Sequence, residues 1–339
     1  MQVRRITEKI TWEDFVINSG HNYSFFQSWN WGEFEMASGK NVERLGFFED
    51  ERLVAIAQVV EVEAKRGKFI HVRNGPICDW SKESVVIKLI EELRKYGKSK
   101  NADFIRISPL IAYGSEQVKI LKKSQFVDNQ MHDVDAEITW VLDISQSDKA
   151  ILENMRKNTR YSIRRAQKDG VKIIISKDVQ DLPKFFKVYQ NTVERQKWHA
   201  YNFDYLKREF EIFAKDDQIS IFLAEYQGIV IAASLFIYYG DTVYYHHSGS
   251  LTDYQKIPAS YLIQWESIKE SKKRSFSNYN FFGIAREDSP KHPWYGLSFF
   301  KKGFGGKEQR WIHAQDLPLK PKYWLTYFYE YFERRSRGY

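Results

Sequence analysis

Hydrophobic positions along this chain follow a strand rhythm and then a helix rhythm, and that succession occurs twice. Residues 44–107 can be laid over residues 220–282. Phe48-Glu49-Asp50-Glu51-Arg52-Leu53-Val54-Ala55-Ile56-Ala57 aligns with Ala224-Glu225-Tyr226-Gln227-Gly228-Ile229-Val230-Ile231-Ala232-Ala233, and each reads as strand, tight turn, strand. A further β-rich run ending in small residues follows in each half, over 69–75 and 243–249. Segments of helical period come next, over 85–96 and 261–273, the first with Val86, Leu89, Ile90 and Leu93 on one face. Short strands over 104–107 and 279–284 close the two repeats. A period of about half the chain predicts two homologous domains, not a solenoid of many units.

Length and composition fit this division. A chain of 339 residues ordinarily makes about two domains, each large enough to bury a core. Apolar residues at 43% and aromatic residues at 16% exclude a disordered chain. No apolar run approaches the roughly 20 residues of a membrane-spanning helix. Residues 1–9 lead into polar sequence instead of a signal-peptide core, so a cytoplasmic location is expected. The single cysteine, Cys78, excludes an internal disulfide and a cysteine-based zinc cluster, and reads as a structural thiol.

The net charge of +8 points to an anionic partner because part of it is clustered. Arg156, Lys157, Arg160, Arg164, Arg165 and Lys168 follow one another with no acidic residue between them, after a capping box expected at Ser145 and Asp148. On one helix, Leu152, Met155, Thr159, Ile163 and Ala166 form a stripe. Arg156, Arg160, Arg164 and Lys168 then step by four along the adjoining face, which suits a phosphate backbone. A solvated surface helix is the alternative. The closing segment from Pro318 to Arg335 is basic and aromatic. Packing of Trp324, Phe328, Tyr331 and Phe332 back onto the first domain is expected there, with a membrane surface as the other reading.

Candidate chemistry is sparse elsewhere. His246 and His247 are adjacent on a strand, so their rings are expected on opposite faces, and no metal site is assigned. No Gly-x-Ser-x-Gly elbow, phosphate loop or dinucleotide fingerprint is present. The loop His292-Pro293-Trp294-Tyr295-Gly296-Leu297-Ser298-Phe299-Phe300-Lys301-Lys302-Gly303-Phe304-Gly305-Gly306 does read as a site. Its phenylalanines offer low-dielectric walls around two cations, and its glycines allow close backbone approach. An ordinary hairpin with two solvated lysines is the alternative.

The repeated unit resembles the N-acetyltransferase fold, in which a glycine-rich loop opening a helix holds the coenzyme A pyrophosphate. The corresponding stretches here are Tyr254-Gln255-Lys256-Ile257-Pro258-Ala259-Ser260 and Trp80-Ser81-Lys82-Glu83-Ser84. Neither is glycine-rich, and Pro258 removes an N–H, so coenzyme A is expected to be poorly held. Further segments stand in order along nearly the whole chain: Phe26-Gln27-Ser28-Trp29-Asn30-Trp31-Gly32-Glu33-Phe34, Asn74-Gly75-Pro76, Arg106-Ile107-Ser108-Pro109, Thr139-Trp140-Val141-Leu142-Asp143, the 156–166 basic run, Phe282-Gly283-Ile284 and 296–306. Together they resemble the Fem-type aminoacyltransferases that build peptidoglycan cross-bridges, and the compact FemX-like members in particular, since no charged helical hairpin forms a coiled-coil arm.

The resemblance implies an α/β (α+β) chain of two tandem N-acetyltransferase-like domains with a cleft between them. The first is expected over 1–145 plus a C-terminal helix at 317–339, the second over 146–316. The implied donor is an aminoacyl-tRNA. The implied acceptor is the stem-peptide amine of a peptidoglycan precursor, UDP-linked or lipid-linked, reached without cofactor or metal by a monomer in the cytoplasm or at the inner membrane face. Lys301, paired with Phe300, takes the electrostatic catalytic role, with Lys302 beside it. Phe300, Lys302, Tyr205, Tyr254, Trp31 and Lys40 are the expected substrate contacts, and Arg156, Arg160, Arg164 and Lys168 the tRNA contacts. Glu35 stands where the family pattern often has a lysine, and Tyr201 where it has an arginine, with Arg195 or Lys197 as substitutes. Two rivals stay open: a coenzyme A-dependent N-acyltransferase and a non-catalytic RNA-binding module. The transferred amino acid and the receiving stem residue are not legible.

Overall fold

The computed structural model describes residues 1–64, 67–131, 135–197, 200–286 and 292–336. The chain forms two compact units, Met1–Glu137 with Arg310–Tyr339, and Ile138–Gln309. Both boundaries fall earlier than residues 145 and 316. The strand at 138–143 is laddered into the second unit's sheet and the strand at 315–318 into the first. Residues 337–339 of the expected C-terminal helix lie outside the described residues.

The first unit runs β1 (Gln2–Arg5), α1 (Lys9–Asn18), α2 (Trp29–Ala37), β2 (Asn41–Glu49), β3 (Arg52–Ala64), β4 (Gly67–Val72), β5 (Ile77–Cys78), α3 (Glu83–Ser99), β6 (Phe104–Ile107), α4 (Val118–Lys123) and β7 (Val127–Asp128). The second runs β8 (Ile138–Asp143), α5 (Asp148–Asn154), α6 (Lys157–Lys168), β9 (Lys172–Ser176), α7 (Leu182–Gln196), α8 (Phe203–Ala214), β10 (Ile219–Tyr226), β11 (Ile229–Tyr239), β12 (Thr242–Ser250), α9 (Ala259–Lys273), β13 (Asn278–Gly283), α10 (Tyr295–Lys302) and β14 (Lys307–Arg310). The chain then returns to the first unit through β15 (Gln315–Pro318) and α11 (Tyr323–Ser336).

The duplication is present in the ladders. β2–β3–β4 and β10–β11–β12 are antiparallel meanders, and β4 and β12 then pair in parallel with β6 and β13 across α3 and α9. A parallel neighbour requires such a crossover helix. Both leading hairpins turn on two residues of positive φ, Asp50-Glu51 and Gln227-Gly228. That is the turn geometry whose twist matches the flanking strands. α3 buries Val86, Leu89, Ile90 and Leu93 in the first unit's core, matching the helical period. The equivalent core of the second unit gathers Leu262, Ile263 and Ile268 of α9 with Phe222, Phe236 and Tyr279.

Sequence motifs of the first unit are drawn together by buried polar contacts. Gln27 donates from Nε2 to the Arg73 carbonyl at 2.5 Å and accepts from Gln58 N at 3.1 Å. Asn74 N donates to Ser108 Oγ at 2.9 Å. Arg73 lies 3.5 Å over the Phe26 ring and 2.5 Å from Asp135. Burial alone would raise the Asp135 carboxyl, yet Arg73 and His71 hold it well below the usual carboxylate range.

The C-terminal helix docks differently from the expectation. Tyr323, Thr326 and Glu330 are its buried positions, with Arg106 bonded to Asp316 and Glu330 at 2.8 Å each. Trp324, Leu325, Phe328 and Phe332 are exposed. The face that packs is therefore the one carrying the buried ionic network, and the aromatic stripe looks outward. Among the described residues no helix is long and apolar enough to cross a membrane.

Candidate active site

The parallel ladder between β12 and β13 covers Thr242↔Asn278, Val243↔Tyr279 and Tyr244↔Asn280. Beyond it β13 becomes irregular: Asn280 Oδ1 accepts from Phe282 N at 2.7 Å, Phe282 takes φ of +65°, and the register with β8 shifts before Gly283. These features free the Gly283 carbonyl to face a side chain. Lys301 Nζ donates to it at 2.6 Å.

The 292–306 segment is a helix followed by a glycine turn, where a loop was expected. Ser298 fixes α10: its Oγ donates to the Trp294 carbonyl and accepts from Ala285 N, each at 2.7 Å. Phe300 and Phe304 pack with Tyr261 at 4.8 and 5.8 Å. The turn needs glycine at two places. A Cβ on Gly303 would stand 2.5 Å from Thr159 Oγ1, and one on Gly306, whose φ is +97°, would stand 2.4 Å from the Val141 carbonyl. Trp140 Nε1 closes the turn by donating to the Gly305 carbonyl at 2.6 Å.

Lys301 is 4% exposed, with its ammonium nitrogen 5.9 Å over the Tyr245 ring. Burial pushes its pKa down to about 7. Such an amine is poised to donate a proton or a hydrogen bond near neutrality, with its charge little screened by water. Lys302 turns elsewhere and places its ammonium 5.2 Å over the Trp140 ring. A cavity of about 380 Å³ has walls that include Arg195, Tyr245, Ser248, Tyr254, Tyr261 and Phe300; Lys301 does not line it and lies behind the Tyr245 ring and its chain neighbour Phe300. Phe300 and Tyr254 thus share a wall. Arg195, weighed as a substitute from sequence, donates to the Ser250 carbonyl at 2.9 Å and to Ser250 Oγ at 3.2 Å. Pro258 stands at the start of α9 on this cavity.

The other expected residues are dispersed. Tyr205 stacks on Tyr201 at 4.3 Å. Trp31 is buried among Phe25, Phe26 and Phe34 in the first unit. It shares a small cavity of about 30 Å³ with Lys40, whose Nζ pairs with Glu35 at 2.5 Å. The basic run is not one helix with Leu152 and Met155. The chain breaks at Met155-Arg156, and the helix cap is Ser147, whose Oγ accepts from Ala150 N, while Ser145 bonds to Asp143. Arg160 fills the break by donating to the carbonyls of Leu152 (3.2 Å), Glu153 (3.1 Å) and Met155. Arg156 donates to the Phe299 carbonyl at 3.0 Å and lies over that ring, tying α6 to α10. Arg164 and Lys168 are exposed.

The chain matches a family model, described as the FemAB family, over residues 7–227 and 222–331. The chain belongs to the FemAB family. A relative from Weissella viridescens, UDP-N-acetylmuramoylpentapeptide-lysine N(6)-alanyltransferase, is 25% identical over 72% of this chain and 75% of its own length. The lipid II:glycine glycyltransferase of Staphylococcus haemolyticus is 21% identical over 86% and 87%. In three dimensions the chain is similar to FemX, with TM-score 0.85, 18% identity and coverage of 96% and 99%. It also resembles a tandem GNAT protein from the clavulanic acid pathway, with TM-score 0.59, 7% identity and coverage of 94% and 99%. The FemAB member described here thus has the tandem acetyltransferase-like fold and is an aminoacyltransferase.

Tyr245 and Glu209 escaped the sequence as candidates, whereas Ser248 was considered there as a nucleophile and set aside for want of a Gly-x-Ser-x-Gly elbow. Tyr245 and Ser248 line the cavity from β12. His246 and His247 do not face apart: β12 bulges, pairing Leu235 with His247 and Phe236 with Tyr245, and both imidazoles meet Glu209 of α8. The two-residue alternation fails wherever an extra residue enters a strand. Glu209 had one sequence signal, an acid on the same helical face as Leu206, Phe210 and Phe213, all of them buried.

Proposed function

We propose that this chain transfers an amino acid from aminoacyl-tRNA to the stem-peptide amine of a peptidoglycan precursor, forming part of an interpeptide bridge. The observation that carries the reading is Lys301, a buried amine held on the Gly283 carbonyl behind the Tyr245 and Phe300 wall of the cavity. The ester of a charged tRNA is already activated. An enzyme must align the acceptor amine with it and stabilise the tetrahedral oxyanion. In this reading the Lys301 ammonium leaves the Gly283 carbonyl to meet that oxyanion, and Phe300 with Tyr254 orients the terminal adenosine and aminoacyl group. The amine attacks the ester carbonyl, the C–O bond to the ribose breaks, and the ribose hydroxyl leaves with a proton.

Support for the acceptor comes from relatives whose names state a UDP-linked muramyl pentapeptide and lipid II. Arg164 and Lys168 supply phosphate contacts for the tRNA in this reading. The outward stripe of Trp324, Leu325, Phe328 and Phe332, with Lys320, Lys322, Arg334 and Arg335 near it, fits a peripheral contact with an anionic membrane surface.

The test is incubation of the protein with a pool of charged bacterial tRNA and with UDP-linked or lipid-linked muramyl pentapeptide, followed by mass spectrometry of the acceptor. Addition of one aminoacyl mass, abolished by deacylating the tRNA, is expected. Modification by acetyl coenzyme A alone would instead establish the N-acyltransferase alternative. Binding of tRNA without any transfer would establish the RNA-binding one.

A further inference from the structure

Glu209, His246 and His247 form a cluster that the transfer reaction does not use. Glu209 is fully buried on α8, although a lone carboxylate is costly to remove from water. His246 Nε2 lies 2.7 Å from Glu209 Oε1, and His247 Nε2 lies 3.2 Å from Glu209 Oε2. The ligand atoms of the three residues all fall within 4.8 Å of one another. The two rings reach one side of β12 only because the bulge inserts a residue, and their centroids are 3.9 Å apart. The second contact is close yet lacks hydrogen-bond geometry, and both of its atoms, Glu209 Oε2 and His247 Nε2, are buried. A carboxylate oxygen and an imidazole nitrogen face each other there with no proton properly shared.

We propose that Glu209, His246 and His247 bind one divalent cation of the zinc type, clipping α8 to β12. Two imidazoles and a carboxylate are the donor set such a borderline cation takes. Bonds of about 2.0–2.2 Å at tetrahedral angles put neighbouring donor atoms roughly 3.3–3.6 Å apart. The observed 3.2 Å is close to that, and the 2.7 Å pair has to open by roughly 0.6–0.9 Å as the cation replaces the shared proton. Aromatic rings of Tyr189, Tyr201 and Phe282 pack on the imidazoles and lower the dielectric around the charge. The role that follows is structural. β12 continues from the histidines into Ser248, Gly249 and Ser250 on the cavity wall, and α8 carries Tyr205 stacked on Tyr201. A bound cation would fix the helix to the strand that shapes the cavity.

The test uses the full chain, stripped with a chelator and then dialysed against zinc. Metal content is measured by mass spectrometry, cobalt(II) substitution is followed by visible absorption, and thermal unfolding is recorded with and without zinc. One zinc per chain, the visible bands of low-coordinate cobalt and a raised midpoint are expected. Glu209→Gln and His247→Gln should each weaken binding about tenfold or more. Wild-type protein that retains no stoichiometric zinc overturns the proposal, independently of how the variants fold. So does equal zinc affinity in wild type and both variants. Neither result bears on transfer by Lys301.

Discussion

Lys301 Nζ and the Gly283 carbonyl oxygen, 2.6 Å apart, join the last turn of α10 to the point where β13 leaves its parallel partner. A carbonyl is a weak counterpart for a buried ammonium. Replacing Lys301 by methionine keeps the volume and removes the charge, so the variant should be more stable than wild type at neutral pH.

The pH dependence of that difference has a definite sign. The folded pKa of Lys301, about 7, lies below its unfolded value near 10.4. Between these the unfolded chain binds more protons, so titration of Lys301 makes wild type gain stability as pH rises. The advantage of Lys301→Met should be on the order of a few kcal/mol at pH near 7 and shrink toward pH 10. Denaturant midpoints of both proteins across that range check it.

Gly306 tests the frame. With φ of +97° and a carbonyl 2.4 Å from the position of a Cβ, Gly306→Ala should cost roughly 1–3 kcal/mol and loosen α10. Chemical denaturation gives the first number, and solvent exchange of the α10 amides gives the second.

The basic run should divide in two. Arg164→Ala and Lys168→Ala should each weaken tRNA binding and lower the slope of log affinity against log salt by about 1. Arg160→Ala should lower the melting temperature instead, because its guanidinium caps the carbonyls at the end of α5. Filter binding at several salt concentrations, with a melting curve for each variant, separates the two roles.

Arg106 anchors the end of the chain. Arg106→Leu leaves Asp316 and Glu330 buried without their cation and should destabilise the first unit by about 3–5 kcal/mol. Calorimetric unfolding should show this in the transition that contains the first unit.

What the sequence made legible follows the range of the forces involved. The hairpins, α3, α9 and the strands at 104–107 and 278–283 were readable because alternation and helical period are local. The glycine-flanked aromatic run drew attention to Lys301, but not to its burial against the Gly283 carbonyl, which depends on an irregular strand end distant in sequence. Arg160 was misplaced because a helix break at Met155 changes which way every later side chain points. The C-terminal stripe was misassigned because Arg106, distant in sequence, chooses the face that docks. Glu209 with His246 and His247 was invisible because it depends on a bulge and on a helix 37 residues away in the chain.

The central claim is that the Lys301 charge stabilises an oxyanion during transfer from tRNA. Its most direct test is the single-turnover rate of label transfer from charged tRNA to muramyl pentapeptide, measured for wild type and Lys301→Met beside their tRNA affinities. A rate loss of about a hundredfold or more with a folded protein and near-unchanged tRNA affinity is the predicted result. A Lys301→Met protein that transfers within about threefold of the wild-type rate would contradict it.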